Sequence, residues 1–189
     1  MSIIAAFAGT GKTTFCARNK NAIDFECMPF KYENFIEVSR RFPGESIKAH
    51  DDLILKDEWQ MMFYEALLDT YETYPDEIIV IPTIRNILAR LEMEQISYTL
   101  VYPAREAKEE YRKRYIGRGD SKNFLNIFVD GWDYWMRDVR SHENPNYIEL
   151  GPEEYLSDVI TIPEYDENNI IKDKDDYIFR RYFNKQDML

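Results

Sequence analysis

The sequence predicts an α/β protein with a three-layer α/β/α fold, in which helices cover both faces of a mostly parallel five-stranded sheet. Three observations predict it: short apolar runs typical of buried strands, amphipathic segments that alternate with them, and a glycine-rich turn directly after the first run. Apolar runs without polar alternation favour parallel strands, because a parallel sheet is buried on both faces.

Five segments are predicted to form the strands of this sheet. Apolar runs stand at 2–8 (SIIAAFA), 77–82 (EIIVIP) and 96–103 (ISYTLVYP). Two shorter segments, 21–26 and 146–150, complete the set. Each strand is followed by a polar or glycine-containing turn, as expected where a strand gives way to a helix.

Helices are predicted between the strands from side chains at helical spacing, at 12–19, 57–75, 84–91, 104–116, 122–139 and from 151 onward. Thr83 is a candidate N-cap and Gly117 a candidate C-terminal cap. Pro75 is expected to end a helix, and Pro152 suits the first turn of the last one.

Residues 122–139 allow two interpretations. FLNIFVD resembles an apolar strand followed by the aspartate that often holds magnesium in nucleotide-binding proteins. The apolar side chains, however, recur at helical spacing, at Leu125, Phe128, Trp132, Trp135 and Val139. We therefore predict a helix in which Asp130 and Asp133 are ordinary helix residues.

Composition and charge exclude several functional classes. The formal net charge of −11 argues against nonspecific nucleic-acid binding, although a local basic patch can still bind phosphate. Two cysteines and two histidines without ligand spacing predict neither a zinc site nor a disulfide framework. No apolar run approaches about 18 residues and no basic leader precedes the first run, so we expect a cytoplasmic protein without a membrane segment.

The stretch FAGTGKTTF, at 7–15, carries the clearest functional signal. It fits the phosphate-loop pattern G-x-x-x-x-G-K-[ST] except that Ala6 replaces the first glycine. Gly9 and Gly11 allow the backbone to turn its N–H groups towards phosphate oxygens, Lys12 can reach the terminal phosphates, and Thr13 can ligate magnesium. The candidate nucleotide-binding residues are Ala8, Gly9, Thr10, Gly11, Lys12, Thr13 and Thr14.

This motif, about ten residues long, resembles the phosphate loop of the P-loop NTPase superfamily. The order of elements over roughly 160 residues resembles its nucleoside and nucleotide kinase branch, which includes small adenylate-kinase-like proteins of phages and their bacterial hosts. The resemblance implies the strand order 2-3-1-4-5, ATP and Mg2+ as cofactors, and phosphoryl transfer to a nucleoside, a nucleotide or a similar small acceptor.

The resemblance also implies candidate catalytic residues outside the loop. In these kinases the second strand commonly ends in an acid beside the acceptor, and Asp24 matches that position, with Glu26 as the alternative. Asp24 and Thr13 are the candidate metal ligands. The third strand ends in IPTIR, without the acid that activates water in motor ATPases, which favours a kinase.

Residues 104–120 are predicted to form a lid. Between 105 and 118 the chain has six basic and three acidic residues, although the whole chain is acidic. Similar kinases place arginines of a mobile lid on the transferring phosphoryl group, and Arg105, Arg114 and Arg118 are the candidates here. Gly117 and Gly119 are candidate hinges.

The acceptor pocket is expected over residues 27–56, with Lys31, Tyr32, Arg40 and Arg41 as candidates and with Tyr102 or Tyr115 stacking on a base. The kinase-like domain is predicted to span 1–160, and 161–189 is expected to be an acidic tail docked on it. An NTPase that acts on a partner and a non-catalytic nucleotide-binding module are the alternatives.

Overall fold

The computed structural model of the protein describes residues 2–43, 50, 52–174 and 177–183. The strands are Ser2–Ala6 (β1), Ala22–Asp24 (β2), Ile78–Pro82 (β3), Tyr98–Pro103 (β4) and Asn146–Leu150 (β5). The α-helices are Lys12–Arg18 (α1), Met28–Lys31 (α2), Phe35–Arg41 (α3), Trp59–Thr73 (α4), Arg85–Met93 (α5), Lys108–Gly117 (α6), Lys122–Leu125 (α7), Trp132–Val139 (α8), Leu156–Val159 (α9) and Tyr177–Tyr182 (α10). A 3-10 turn precedes α6, at Arg105–Ala107.

The five strands form one parallel sheet in the order β2-β3-β1-β4-β5. Both the number of strands and their order confirm the prediction. β1 lies at the centre, where Ile4 pairs with Val80 of β3 and with Thr99 of β4. The carboxyl ends of β1, β2 and β3 therefore lie side by side, at the edge where open parallel sheets bind ligands.

Helices pack on both faces of the sheet. Ile3 and Ala5 of β1 belong to one buried cluster, and Ile4 and Ala6 belong to another, because alternate residues of a strand face opposite sides. The first cluster includes side chains from α4, α5, α6 and α8, and the second includes side chains from α1 and α9. This arrangement is compatible with the predicted three layers. None of the helices in the described ranges is long and apolar enough to cross a membrane.

The helical interpretation of 122–139 is confirmed. α7 and α8 are joined by a π-helical turn at Asn126–Asp130. The indole of Trp135 donates a hydrogen bond to the carbonyl of Ile127 within this turn, at 2.7 Å. Trp132 is buried as expected, whereas Trp135 is only half-buried.

Two predicted helix boundaries are wrong. α5 has Ile84 at its N-cap, without a side-chain cap bond, because Ile84 is still extended and the helix begins one residue after it. Thr83 is therefore not the cap. α6 continues through Gly117, and the left-handed φ of +78° belongs to Gly119. The chain thus uses the conformational freedom of glycine two residues later than predicted.

The position predicted for Pro152 is also wrong. α9 begins at Leu156, so the proline lies before the helix and not in its first turn. Tyr155 occupies the N-cap, and the carboxylate of Asp158 accepts a hydrogen bond from its N–H at 2.8 Å. This acid satisfies a backbone donor that would otherwise lack an intrahelical partner. Nor is α9 the last helix, because α10 follows it.

The described part of the segment 161–189 packs against the domain. Ile171, Tyr177 and Ile178 are buried in the larger core cluster. The carboxylate of Glu77, which is fully buried, accepts hydrogen bonds from Ile171 N–H at 2.7 Å and from the ammonium of Lys174 at 3.0 Å. Burial raises the pKa of Glu77 and lowers the pKa of Lys174, since both charges are withdrawn from water.

This ion pair gives a stability prediction. Lys174→Ala leaves the buried carboxylate of Glu77 without its cationic partner, and we expect a loss of about 3–5 kcal/mol in the free energy of unfolding. Lys20→Ala is the control, because Lys20 forms an exposed pair with Glu167 and its loss should cost less than about 1 kcal/mol. Urea unfolding measures the free energy of unfolding of both variants. An equal loss in the two would contradict the stabilising role of the buried pair.

Candidate functional site

The loop between β1 and α1 contains two residues with left-handed backbone. Gly9 has φ of +85° and Gly11 has φ of +89°. A Cβ atom at Gly9 would lie 2.9 Å from Cε1 of Tyr115, and one at Gly11 would lie 3.1 Å from Cδ1 of Tyr155. Glycine is therefore required at these positions both by the backbone and by the aromatic rings packed on the loop.

Each carbonyl from residue 7 to residue 10 accepts a hydrogen bond. The Phe7 carbonyl accepts from the hydroxyl of Thr10 at 2.8 Å, and the Thr10 carbonyl accepts from Leu156 N–H at 2.9 Å. The Ala8 carbonyl accepts from the hydroxyl of Tyr115 at 2.9 Å, and the Gly9 carbonyl accepts from Arg114 at 3.1 Å.

These bonds orient the peptide groups of the loop. All its peptide bonds are trans, so each C=O and the N–H that follows it point to opposite sides of the peptide plane. The N–H groups of Gly9 and Gly11 therefore point away from Tyr115 and Leu156, the donors to the carbonyls that precede them. The N–H of Thr10, between them, donates to the Phe7 carbonyl at 3.4 Å, so the N–H groups of the two glycines are the candidate phosphate donors of the loop.

Lys12 and Thr13 follow the loop at the start of α1. The ammonium of Lys12 lies 3.0 Å from the carbonyl oxygen of Ala6 and 3.3 Å from that of Phe7. The hydroxyl of Thr13 donates to one carboxylate oxygen of Asp24, at 2.7 Å. The other oxygen, Oδ1, is buried and has no hydrogen-bond partner among the described residues. Such a buried acceptor calls for a donor or a cation.

The thiol of Cys16, on the same helix, is not activated as a nucleophile. Burial raises the pKa of its thiol far above the usual value, and the negative charge of Asp24 raises it further. The thiol therefore stays protonated at neutral pH, and a protonated thiol is a weak nucleophile.

A cleft of about 410 Å³ opens beside the loop, at the carboxyl ends of β1, β2 and β3. Ala8 and Lys12 line it from the loop, Asp24 and Glu26 from the end of β2, and Thr83 from the end of β3. Its volume is within the range of small-molecule sites. Its aromatic lining residues are Tyr32, Trp59, Phe124, Phe128, Tyr134 and Trp135.

The cleft includes part of the acceptor pocket predicted from the sequence. Lys31 and Tyr32 line it as expected, but Arg40 and Arg41 do not, and Arg41 pairs with Asp52. Phe128 and Trp135 were predicted on the apolar face of one helix, and they pack against the core as well as line the cleft. No sequence pattern indicated the π turn at Asn126–Asp130, which joins α7 to α8.

The two tyrosines expected to stack on a base are placed elsewhere. Tyr115 is fully buried beneath the loop, in contact with Gly9, so an external ring cannot stack on it. Tyr102 is buried and packs edge-on against Tyr147 of β5. Asp130 is exposed and does not line the cleft, so it is not a second acid beside Asp24.

Arg114 contacts the loop as an anchor. Its guanidinium donates to the carbonyls of Gly9 at 3.1 Å and of Pro152 at 2.6 Å, and lies over the rings of Tyr111 and Tyr155. Only 9% of its side chain is exposed. These contacts tie α6 and the segment after β5 to the phosphate-loop motif.

Arg105 and Arg118 have their partners outside the loop. Arg105 pairs with Asp133 at 2.7 Å and lines a separate cavity formed with Met136, Arg137 and Arg140. Arg118 pairs with Asp120, and its guanidinium lies over the rings of Tyr115 and Phe124. The structure therefore does not bring the three arginines together, although Arg118 contacts a residue that lines the cleft.

The comparisons with known proteins give no family. No protein-family model, no curated protein and no solved structure matches this chain. Within the described ranges, no group of three or more His, Cys, Asp or Glu side chains is placed to hold a metal ion. The geometry of the loop, Asp24 and the cleft is the feature of the molecule that indicates a function.

Arg114 allows a test of its anchoring role without any ligand. Hydrogen bonds to charged groups contribute about 1.5–3 kcal/mol, so we expect Arg114→Met to lower the free energy of unfolding by about that amount. Arg112→Met is the control on the same helix, because Arg112 is exposed and a surface change should stay within about 0.5 kcal/mol. Chemical denaturation of the ligand-free protein measures both. If the two variants are equally stable, Arg114 does not anchor the loop and is again a candidate for a mobile lid arginine.

Proposed function

We propose that the protein transfers the terminal phosphoryl group of ATP, with Mg2+, to the hydroxyl of a small acceptor such as a nucleoside or nucleotide. The observation that carries the proposal is the convergence of the anchored loop, Lys12 and the Thr13–Asp24 pair at the mouth of one cleft. In this proposal the parallel sheet is a P-loop fold and the protein acts in the cytoplasm.

The loop residues bind the phosphates of ATP. The N–H groups of Gly9 and Gly11 point to the side opposite the carbonyl anchors, where phosphate oxygens can accept from them. Lys12 exchanges its contacts with the Ala6 and Phe7 carbonyls for a phosphate oxygen, because an anion is a stronger partner than two neutral carbonyls. These donors are in place before the reaction, and such preorganisation stabilises charge that develops in the transition state.

Thr13 and Asp24 suit magnesium. This cation prefers oxygen ligands and is usually held by one or two carboxylates, waters and substrate phosphates, so a full protein cage is not needed. The buried Oδ1 of Asp24 and the hydroxyl of Thr13 provide such oxygens on the loop side of the cleft. When bound, the ion would neutralise part of the charge on the phosphates.

Asp24 also serves as the candidate base. Its carboxylate accepts the proton of the acceptor hydroxyl as the hydroxyl oxygen bonds to the γ-phosphorus. The bond from that phosphorus to the bridging oxygen breaks, and ADP leaves with the electron pair. Glu26 lines the same cleft and remains the alternative.

The predicted lid arginines take different roles in this proposal. Arg114 positions the loop through its carbonyls. Arg118 is the best-placed lid arginine, because it lies over Phe124 at the cleft and is followed by Gly119 with its left-handed backbone. Arg105, held by Asp133, requires the largest movement to reach a phosphate.

The hydrolase alternative has less support. An NTPase that hydrolyses ATP needs a group that activates water, and the residues that line the cleft at the end of β3 and directly after it, Pro82 and Thr83, are not acidic. A non-catalytic module could use Asp24 for magnesium in the same way, so the dependence of turnover on an acceptor distinguishes it from a kinase.

A phosphotransfer assay with ATP, Mg2+ and a panel of acceptors tests the proposal. We expect ATP turnover only when an acceptor is present, and Lys12→Ala and Asp24→Asn should each lower kcat about 10²–10³-fold. Lys113→Ala, on the exposed face of α6, is the control and should leave turnover unchanged. Turnover without an acceptor would support the hydrolase, and full activity of Lys12→Ala would contradict the phosphate-binding role of the loop.

A further inference from the structure

Residues 24–35, from the end of β2 to the start of α3, form one wall of the cleft. The side chains of this wall that line the cleft are Asp24, Glu26, Cys27, Met28, Lys31 and Tyr32. Two of its aromatic side chains, Phe25 and Phe30, do not line the cleft and are almost completely buried. The wall therefore has one side towards the cleft and another that packs into the protein.

The position of this wall depends on tertiary contacts. α2 has four residues and α3 has seven, and neither helix has a side-chain hydrogen bond at its N-cap. Isolated helices shorter than about 12–15 residues are only marginally stable in water, and in proteins they are held mainly by packing. The side chains that pack on Phe30 and Phe35 therefore hold the wall in its place.

The C-terminal helix α10 and the residue after it supply much of this packing on α2. The ring centre of Tyr182 lies 5.9 Å from that of Phe30 and 6.4 Å from that of Phe25. Phe183, directly after α10, lies 5.2 Å from Phe30. These distances are within the range of favourable aromatic pairs.

α10 also packs on α3. Phe179 stacks on Phe35 with ring centres 5.8 Å apart and an interplanar angle of 20°. Among the described residues, this is the only aromatic ring in contact with Phe35. The two short helices of the wall thus share one support, although no residue of α10 lines the cleft.

α10 is in turn fixed on α4, whose buried face belongs to the core. The hydroxyl of Tyr182 lies 2.9 Å from the hydroxyl of Thr70 and 2.9 Å from the carboxylate of Asp69. The guanidinium of Arg181 donates two hydrogen bonds to the same carboxylate, at 2.7 and 2.9 Å. Such a bidentate pair fixes orientation as well as distance. Tyr182 therefore joins α4, through its hydroxyl, to the wall, through its ring.

We propose that Tyr182 is a positioning residue for the acceptor, because it holds α2 through Phe30 without touching the acceptor itself. The proposal rests on the proposed phosphoryl transfer and adds the C-terminal helix to the acceptor site. Asp24, by contrast, is held by the pairing of β2 with β3 and by its bond from Thr13. The site for ATP and magnesium is therefore independent of Tyr182.

Acceptor kinetics of the full-length protein test this role. The acceptor is the compound with the highest turnover among adenosine, guanosine, cytidine, thymidine and their 5′-monophosphates. We expect Tyr182→Ala to lower kcat/KM for this acceptor at least about 10-fold, because small misplacements of substrate-positioning groups have large effects on rate. The Kd of a fluorescent ATP analogue, measured with Mg2+, should stay unchanged.

Two further variants separate positioning from stability. Tyr182→Phe keeps the ring, and Arg181 still holds α10 on α4, so most of the kcat/KM should remain. Ile171→Ala removes a buried side chain of the same core cluster, beside Glu77 at the opposite end of the parallel sheet from α2. This control should lose stability without a change in acceptor kinetics. All variants are assayed at a temperature at which circular dichroism shows them folded.

Hydrogen exchange of the ligand-free protein gives a second readout. The amides of α2 and α3 should exchange faster in Tyr182→Ala and in Phe179→Ala than in the unmodified protein, but not in Ile171→Ala. Phe179 is only half-buried, so its variant provides the same kinetic test if Tyr182→Ala does not fold.

The outcomes distinguish this proposal from the proposed function. Equal acceptor kcat/KM in Tyr182→Ala and Ile171→Ala, or unchanged exchange of α2 and α3, overturns the positioning role and leaves phosphoryl transfer standing. A loss of affinity for the ATP analogue as large as the loss of kcat/KM also overturns it, because the damage is then not confined to the acceptor. Absence of acceptor-dependent turnover in the unmodified protein overturns the proposed function and the positioning role together.

Discussion

The outward hydrogen bonding of the loop carbonyls is the constraint on which the proposed site depends. Tyr115 and Arg114 of α6 and the N–H of Leu156 in α9 hold the carbonyls of Ala8, Gly9 and Thr10. These donors come from elements far apart in sequence, so the loop has this shape only when the sheet and its helices are assembled. Because the carbonyls are fixed, the N–H groups of Gly9 and Gly11 are fixed on the other side.

The fold was predictable because the strand pattern, the helix pattern and the turn residues all indicate the same architecture. The apolar runs, the alternating helices and the glycine-rich turn all specify a parallel sheet, and the strand order followed from the resemblance that the turn suggested. Individual helix ends were less predictable. Ile84 and Gly119 set the observed ends through backbone conformation, which depends on local packing as well as residue type.

The candidate site was predictable near the motif and not beyond it. Thr13 and Asp24 form a hydrogen bond because α1 and β2 follow the loop directly. Short connections leave few ways in which two consecutive elements can pack. The role of Arg114 was not predictable, since its partners are backbone carbonyls that no sequence pattern indicates. The contribution of Phe128 and Trp135 to the cleft was missed as well, because no sequence pattern indicated the π turn at Asn126–Asp130.

A crystal structure of the protein with Mg2+ and an unreactive ATP analogue tests the central claim most directly. We expect phosphate oxygens within hydrogen-bond distance of the N–H groups of Gly9 and Gly11. We also expect the Lys12 ammonium to leave the Ala6 and Phe7 carbonyls for a phosphate, while the carbonyl anchors stay in place. A nucleotide bound elsewhere, or a loop whose carbonyls must turn inward to accept it, would contradict the account.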